Sequence, residues 1–318
     1  MRSWFSSSAD TTSCPVRVLK FGGTSLGTAT PLRKAAAIVG NATDECRPVV
    51  VVSAAAGVTN DLVRAADDTR ADRATAEAWA RDVGRRYRTL ARDVIEDASV
   101  EAQYGAVLRA ELSELRRALQ AARTTEGADR DAVLATGERL MAPLFAAVLN
   151  TTDCPARPVD ASSLVRTDAT HGDATVQRDE TQTQMEEWRA ALPEDDAWTV
   201  PVLTGFIGGT ADGVTTTIGR GGSDLSAAVV ARALDADRLE RWTDVEGLYT
   251  RDPSTHDAAR PIDQLDFDQA RTWTKAGRLG MHSSTLEPLA SANIPVHVRC
   301  THRPDGDGTR IVPAVPAR

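Results

Sequence analysis

The apolar positions of this chain change period as it is read from the amino end. VRVLKF (16–21) is a short, mostly apolar run that stops at Gly22-Gly23, which predicts a buried strand. RPVVVVSAAAG (47–57) reads as a second strand, β-branched and apolar throughout, as in a strand covered on both faces. Between them, Thr30-Pro31 offers an N-cap and a first-turn proline before LRKAAAIVG, a helix expected to stop at Gly40. Strand, helix and strand at this spacing predict a parallel α/β sheet.

From Asn60 the period lengthens. Trp79, Val83, Tyr87, Leu90 and Val94 recur every three or four residues, and Tyr104, Leu108, Leu112, Leu115 and Leu119 repeat the same steps. Charged residues fill the remaining positions, so both stretches are amphipathic helices with packing stripes. They form a helical insertion over 60–130 in the N-terminal lobe, with TTEGADRDA (124–132) as its exit loop. GERLMAPLFAAVLN (137–150) opens a further helix, and PARPVD is a candidate strand. WTVPVLTGFIGG (198–209) reads as a strand running into a glycine turn, and VTTTIG (214–219) as a hairpin arm. SDLSAAVVARALDA (223–236) is a helix, RLERWTDV returns to a strand, and NIPVHVRC (293–300) is expected to be the last core strand. The expected division is a disordered tail at 1–14, a lobe at 15–200 and a second lobe at 201–318.

Composition narrows the partners. A net charge of -8 argues against nucleic acid, which needs a basic surface. No apolar run approaching the roughly 18 residues of a membrane span is evident, and the first residues lack a signal-peptide core. Four scattered cysteines without a CxxC pair fit buried thiols in a reducing compartment, so the expectation is a cytoplasmic protein. Lysine is rare, at positions 20, 34 and 275 alone, and one of the three adjoins the first glycine turn.

Three glycine-rich turns carry the candidate chemistry: KFGGTS, GFIGG and GRGGSD. Glycine lets backbone N–H groups approach an anion closely, and GRGGSD leads straight into a helix N-terminus, where an anion is favoured. Lys20 beside the first turn would add a mobile positive charge for phosphate. The chain has no GxxxxGK[ST] phosphate loop, and no GxGxxG opens its first helix.

In this order and spacing, VLKFGGTS, VVVVSAAAGVTN, TGERL, TGFIGG, TTTIGRGGSDLSA and WTDVEGLYTRDP resemble the aspartate kinases of the amino acid kinase family. The likeness runs from about Val16 to Val312. It implies a three-layer αβα sandwich with a mainly parallel central sheet. The amino acid would bind in the N-terminal lobe and ATP in the C-terminal one. The implied reaction moves the γ-phosphoryl group of ATP, with Mg2+ held mainly by the ATP phosphates, to the side-chain carboxylate of L-aspartate. That is the first step toward lysine, threonine and methionine. By this resemblance Lys20 contacts the transferring group and Asp224 orients that lysine. Gly22, Gly23, Thr24, Ser25, Gly221, Gly222 and Ser223 hold phosphates. Ser53, Thr59 and Glu138 line the amino-acid pocket, with Glu138 on the α-ammonium. Thr243, Asp244, Tyr249 and Arg251 belong to the nucleotide site. Simpler readings stay open for two of these: a first-turn glutamate for Glu138, an N-cap for Asp224.

Three departures accompany the resemblance. HGDATVQ (171–177) stands where such kinases carry FGRAEPD, so Asp173 occupies the place of a carboxylate-clamping arginine in the substrate site. AGRLGMHS (276–283) stands for FGAKVLHP, placing Leu279 where a phosphate-contacting lysine is expected, with Lys275 or Arg278 as substitutes. The paired regulatory ACT domains of most relatives are not expected here. Alternatives to aspartate phosphorylation are a kinase for another amino acid and a nucleotide-binding regulatory relative with little turnover. A homodimer is a further expectation, since relatives commonly pair.

Overall fold

The computed structural model describes residues 14–68, 72–121, 127–191, 198–251, 256, 258–277 and 279–314. The expected tail at 1–14 and the candidate phosphate residue Arg278 therefore lie outside the described residues, apart from Cys14.

In the first half, β1 (Val16–Phe21) is followed by the short α1 (Gly23–Leu26), α2 (Ala29–Ala42), β2 (Arg47–Val52) and α3 (Val58–Asp67). The long helices α4 (Arg73–Val94), α5 (Ala98–Ala121) and α6 (Ala128–Asn150) come next. Then follow β3 (Ala156–Val159), α7 (Arg178–Ala190), β4 (Val200–Thr204), β5 (Ile207–Gly209) and β6 (Thr215–Thr217). The second half holds α8 (Gly222–Ala233), β7 (Arg238–Thr243), β8 (Leu248–Tyr249), β9 (Pro261–Ile262), β10 (Gln264–Asp266), α9 (Phe267–Lys275), α10 (Ser283–Ser291), β11 (Val296–Cys300) and β12 (Thr309–Val312).

One eight-stranded sheet, in the order β10-β12-β11-β7-β1-β2-β4-β3, runs through both halves. β3, β4, β2, β1, β7 and β11 are parallel, and β12 turns antiparallel against β11. The sheet is therefore the mainly parallel one expected, with helices on both faces. Alternation along β1 and β2 sorts the core. Leu19, Phe21, Val50 and Val52 face α2 and the three long helices, while Val18, Val49 and Val51 face α8 and α10. The stripes of the two amphipathic helices are packing surfaces as read: Val83, Tyr87, Leu90 and Val94 of α4 and all five marked residues of α5 are buried.

Several boundaries differ from the sequence reading. The cap of α2 is Thr28, not Thr30, and the helix passes Gly40 to end at Ala42, because Ile38, Val39 and Ala42 still have core to cover. Helix α6 begins at Ala128, nine residues before the expected start, so residues 128–132 of the supposed exit loop are helical. That helix is also long and apolar enough to cross a membrane, contrary to the expectation, but it packs as a core helix, with most of its apolar window buried. β11 is followed by β12, so NIPVHVRC is not the last strand.

Candidate active site

The carboxyl ends of parallel strands leave backbone groups and loops at one edge of a sheet, and ligands of open α/β folds gather there. At this edge β1 ends in Lys20 and Phe21. The next residue, Gly22, donates its N–H to the Trp242 carbonyl on β7 at 3.2 Å. Trp242 is buried and stacks on Phe21 at a centroid distance of 6.2 Å, which fixes that carbonyl. The turn then presses on the loop after β2: a Cβ on Gly23 would stand 2.7 Å from the Ala54 carbonyl oxygen, so only glycine fits. The Ala56 N–H closes the contact by donating to the Gly23 carbonyl at 3.1 Å.

From the opposite side comes α8. Gly221, at φ +74, caps it in the left-handed region and turns the chain into the helix. Asp224 in the first helical turn meets the Lys20 ammonium at 2.6 Å. The two turns expected to converge do so, across that ion pair. Asp224 also accepts from the Arg241 Nε at 3.1 Å. Burial alone would raise its pKa, but Lys20 and Arg241 outweigh it and hold the carboxyl below the usual carboxylate range. The N-cap position belongs to Gly221, so Asp224 is not a capping residue.

Around this pair lies a cleft of about 510 Å3 lined by Lys20, Gly23, Ser53, Thr59, Glu138, Gly221, Gly222, Ser223 and Asp224, all anticipated from the sequence. Glu138 sits in the middle of α6, not in a first turn, which removes the helix-dipole reading. It is buried with Oε2 unpartnered, and burial pushes its pKa up to about 8, against the lowering influence of the Ala54 amide and Lys20. A buried carboxyl with an open acceptor facing a cleft suits an ammonium.

A second cavity of about 820 Å3 is lined by Thr243, Asp244, Tyr249 and Arg251, as anticipated, together with Arg241, Leu279 and Gly280. Lys275 is exposed at the end of α9 and does not line this cavity. Leu279 is buried in its wall, as the missing lysine implied.

Other assignments require correction. The Gly22 amide is committed to Trp242 and cannot also cradle a phosphate. Ser25 is fully buried, and its hydroxyl bonds Thr301 Oγ1 at 2.7 Å, so it offers nothing to a ligand. The same bond disposes of the nucleophile-elbow spacing G-x-S-x-G that GTSLG (23–27) also fits. Thr24 is exposed and lines neither cavity. Asp173 lines an adjoining depression and not the cleft itself; its carboxylate packs against Gly219, where a Cβ would lie 2.2 Å from Oδ1.

Two arginines escaped the sequence reading. Arg220 lines the cleft, and no hydrogen bond or ion pair engages its guanidinium among the described residues. Its place directly before the glycine pair of GRGGSD was the available signal. Arg241 was hidden within a strand read for its apolar pattern.

Deeper support links the cleft to the helical insertion. The Tyr87 hydroxyl on α4 accepts the Ala55 N–H at 3.3 Å and donates to the Gly137 carbonyl, beside Glu138, at 2.7 Å. Asp131, buried on α6, accepts from His171 Nδ1 at 2.7 Å, the Gly172 N–H at 3.1 Å and the Thr217 hydroxyl at 2.6 Å, tying down the loop whose Gly172 lines the cleft.

The profile of the amino acid kinase family matches residues 15–300. The chain is 35% identical to lysine-sensitive aspartokinase 3 of Escherichia coli over 92% of its own length and 63% of the relative's. It is 32% identical to the aspartokinase of Chlamydia trachomatis over 92% of its own length and 64% of that protein's. E. coli aspartokinase III in complex with aspartate and ADP superposes with a TM-score of 0.82 at 30% identity, covering 94% of this chain and 65% of that one. The chain thus spans somewhat under two-thirds of the length of these two relatives, and about half of others it matches. With the paired glycine turns, the Lys20–Asp224 bridge and a family match over nearly all of its length, this chain belongs to the amino acid kinase family.

Proposed function

We propose that this chain transfers the γ-phosphoryl group of ATP to the side-chain carboxylate of L-aspartate, giving 4-phospho-L-aspartate and ADP. The observation that carries the reading is the Lys20–Asp224 ion pair of 2.6 Å in the first cleft, tied through Arg241 to the lining of the second, one suited to an amino acid and the other to a nucleotide. Relatives named aspartokinase, one of them solved with aspartate and ADP, support the choice of substrates.

The chemistry asks little covalent work of the protein. An aspartate side chain is ionised at neutral pH, so no base has to remove a proton. One carboxylate oxygen forms a bond to the γ-phosphorus while the bond to the β,γ-bridging oxygen breaks, and that electron pair leaves with ADP. The protein supplies alignment and positive charge for the phosphoryl oxygens. Lys20 is held in place by Asp224, and the turn into α8 presents the Ser223 N–H, whereas those of Gly222 and Asp224 donate to the Gly219 and Gly221 carbonyls and are not free for phosphate. Glu138 receives the α-ammonium, whose charge favours the ionised carboxylate over the protonated form of the empty cleft. Arg220 is placed to take the α-carboxylate in a bidentate pair. Mg2+ would enter on the ATP phosphates; no group of three metal-ligating side chains is assembled among the described residues.

Incubation with ATP, Mg2+, aspartate and hydroxylamine should yield aspartyl hydroxamate. No hydroxamate at saturating aspartate would reject this substrate, and another amino acid clearly outranking aspartate in the same assay would reassign it.

A further inference from the structure

β1 and β7 are neighbouring parallel strands, and their register sets Lys20 directly beside Arg241. Adjacent strands lie about 4.8 Å apart, so the two side chains leave the same face of the sheet next to one another. Both reach the one carboxylate of Asp224, Lys20 at Oδ1 and Arg241 at Oδ2. All three side chains are largely shielded, at 8%, 15% and 9% exposure. Two cations against one anion leave an excess positive charge in a poorly solvated place, which is costly unless an anion completes it.

The guanidinium is also incompletely used. Its Nε bonds Asp224, and its Nη2 donates to the Gly280 carbonyl at 2.8 Å, which leaves the Nη1 donors without a partner among the described residues. Arg241 lines the second cavity, between Thr243 on its own strand and the Leu279–Gly280 wall, whereas Lys20 lines the first. A polyphosphate reaching from one cavity to the other must pass the pair.

We propose that Arg241 is a phosphate-binding residue of this chain, a second cation that with Lys20 brackets the tail of the nucleotide and neutralises the charge gathering on the leaving β-phosphate. It fills the role that a lysine in place of Leu279 would serve, but from β7. Asp224 then positions two cations instead of one. The inference rests on the kinase reading for its catalytic part and on the cavity geometry alone for its binding part.

The test uses Arg241→Met, Arg241→Lys and the double variant Arg241→Met/Leu279→Lys, each first matched to the parent in thermal unfolding midpoint. By calorimetry, Arg241→Met should weaken β,γ-imido-ATP about tenfold or more while leaving AMP nearly unchanged, since a charge-assisted hydrogen bond contributes about 1.5–3 kcal/mol. In turnover, Arg241→Met should lower kcat about a hundredfold, the usual order for removing one donor to developing charge, with the KM for the amino acid within about threefold. Arg241→Lys and the double variant should each recover a large part of both losses. Equal affinity of parent and Arg241→Met for β,γ-imido-ATP overturns the proposal, whether or not the parent turns over. So does a fall in kcat that the added lysine at position 279 leaves untouched. A parent without phosphoryl transfer to any amino acid refutes the kinase reading instead, and leaves the calorimetric result to decide on Arg241.

Discussion

Glu138 shows how a single buried group can serve binding at the expense of stability. Its carboxyl is raised from 4.5 to about 8 by burial, so the folded chain keeps a proton that the unfolded chain has released between those values. Stability therefore falls as pH climbs from about 4.5 to about 8, and the deficit remains above that. At about 1.4 kcal/mol for each tenfold change, the penalty amounts to a few kcal/mol. Glu138→Gln should melt close to the parent at pH 4 and progressively higher than it through pH 8. It should also lose amino-acid binding by calorimetry, because a neutral amide cannot pair with an ammonium. A gap between variant and parent that is the same at pH 5 and pH 8.5 would mean that Glu138 is already ionised in the empty cleft. At this scale the sequence spoke through residue type at turns. Lys20 stood beside a glycine turn and was recognisable, whereas Glu138 and Asp224 were picked out by the family resemblance, their places near helix starts suggesting only a dipole partner and a cap. Arg241 was not, because its role depends on which strand lies next to β1, and that is a property of topology. Ser25 misled for the converse reason: a hydroxyl in a glycine turn reads as a ligand contact until Thr301, far along the chain, is seen to claim it.

Among the elements, α6 does the most for the cleft. It carries Glu138 into the floor and Asp131 under the Gly172 loop, and its Gly137 lies so close to the β2–α3 loop that a Cβ would meet the Ala54 Cβ at 2.5 Å. Gly137→Ala should push the helix from that loop, destabilise the fold by about 1–3 kcal/mol and raise the KM for the amino acid more than that for ATP. Denaturant titration and steady-state kinetics check the two parts, and unchanged values in both would show that the contact relaxes freely. β1 was legible to the residue, and β2 was legible from its β-branched run although it stops at Val52 and not at the expected Gly57. The start of α6 was not, since Gly127, Asp129 and Asp131 compose a loop-like stretch. Yet Asp131 is there to accept hydrogen bonds from a distant loop, and both acids lie in the helix's first turn. β12 was missed because four residues with one outward arginine carry little pattern, and their partners, β11 and β10, are supplied by the assembled sheet.

At the scale of the molecule, the two cavities are not separate bodies brought together; they open on neighbouring strands of one continuous sheet, and the Lys20–Asp224–Arg241 cluster links the lining of one to the lining of the other. Such an arrangement leaves the phosphorus a single short passage between two oxygens. No relay through a phosphorylated side chain is called for, because the proposed acceptor already presents its own nucleophile at that junction. Displacement at one tetrahedral centre, with entry opposite departure, reverses handedness. ATP made chiral at the γ-phosphorus by oxygen isotopes should therefore give an acyl phosphate of inverted configuration, and retention would demand an intermediate on the protein that this sheet edge gives no reason to expect.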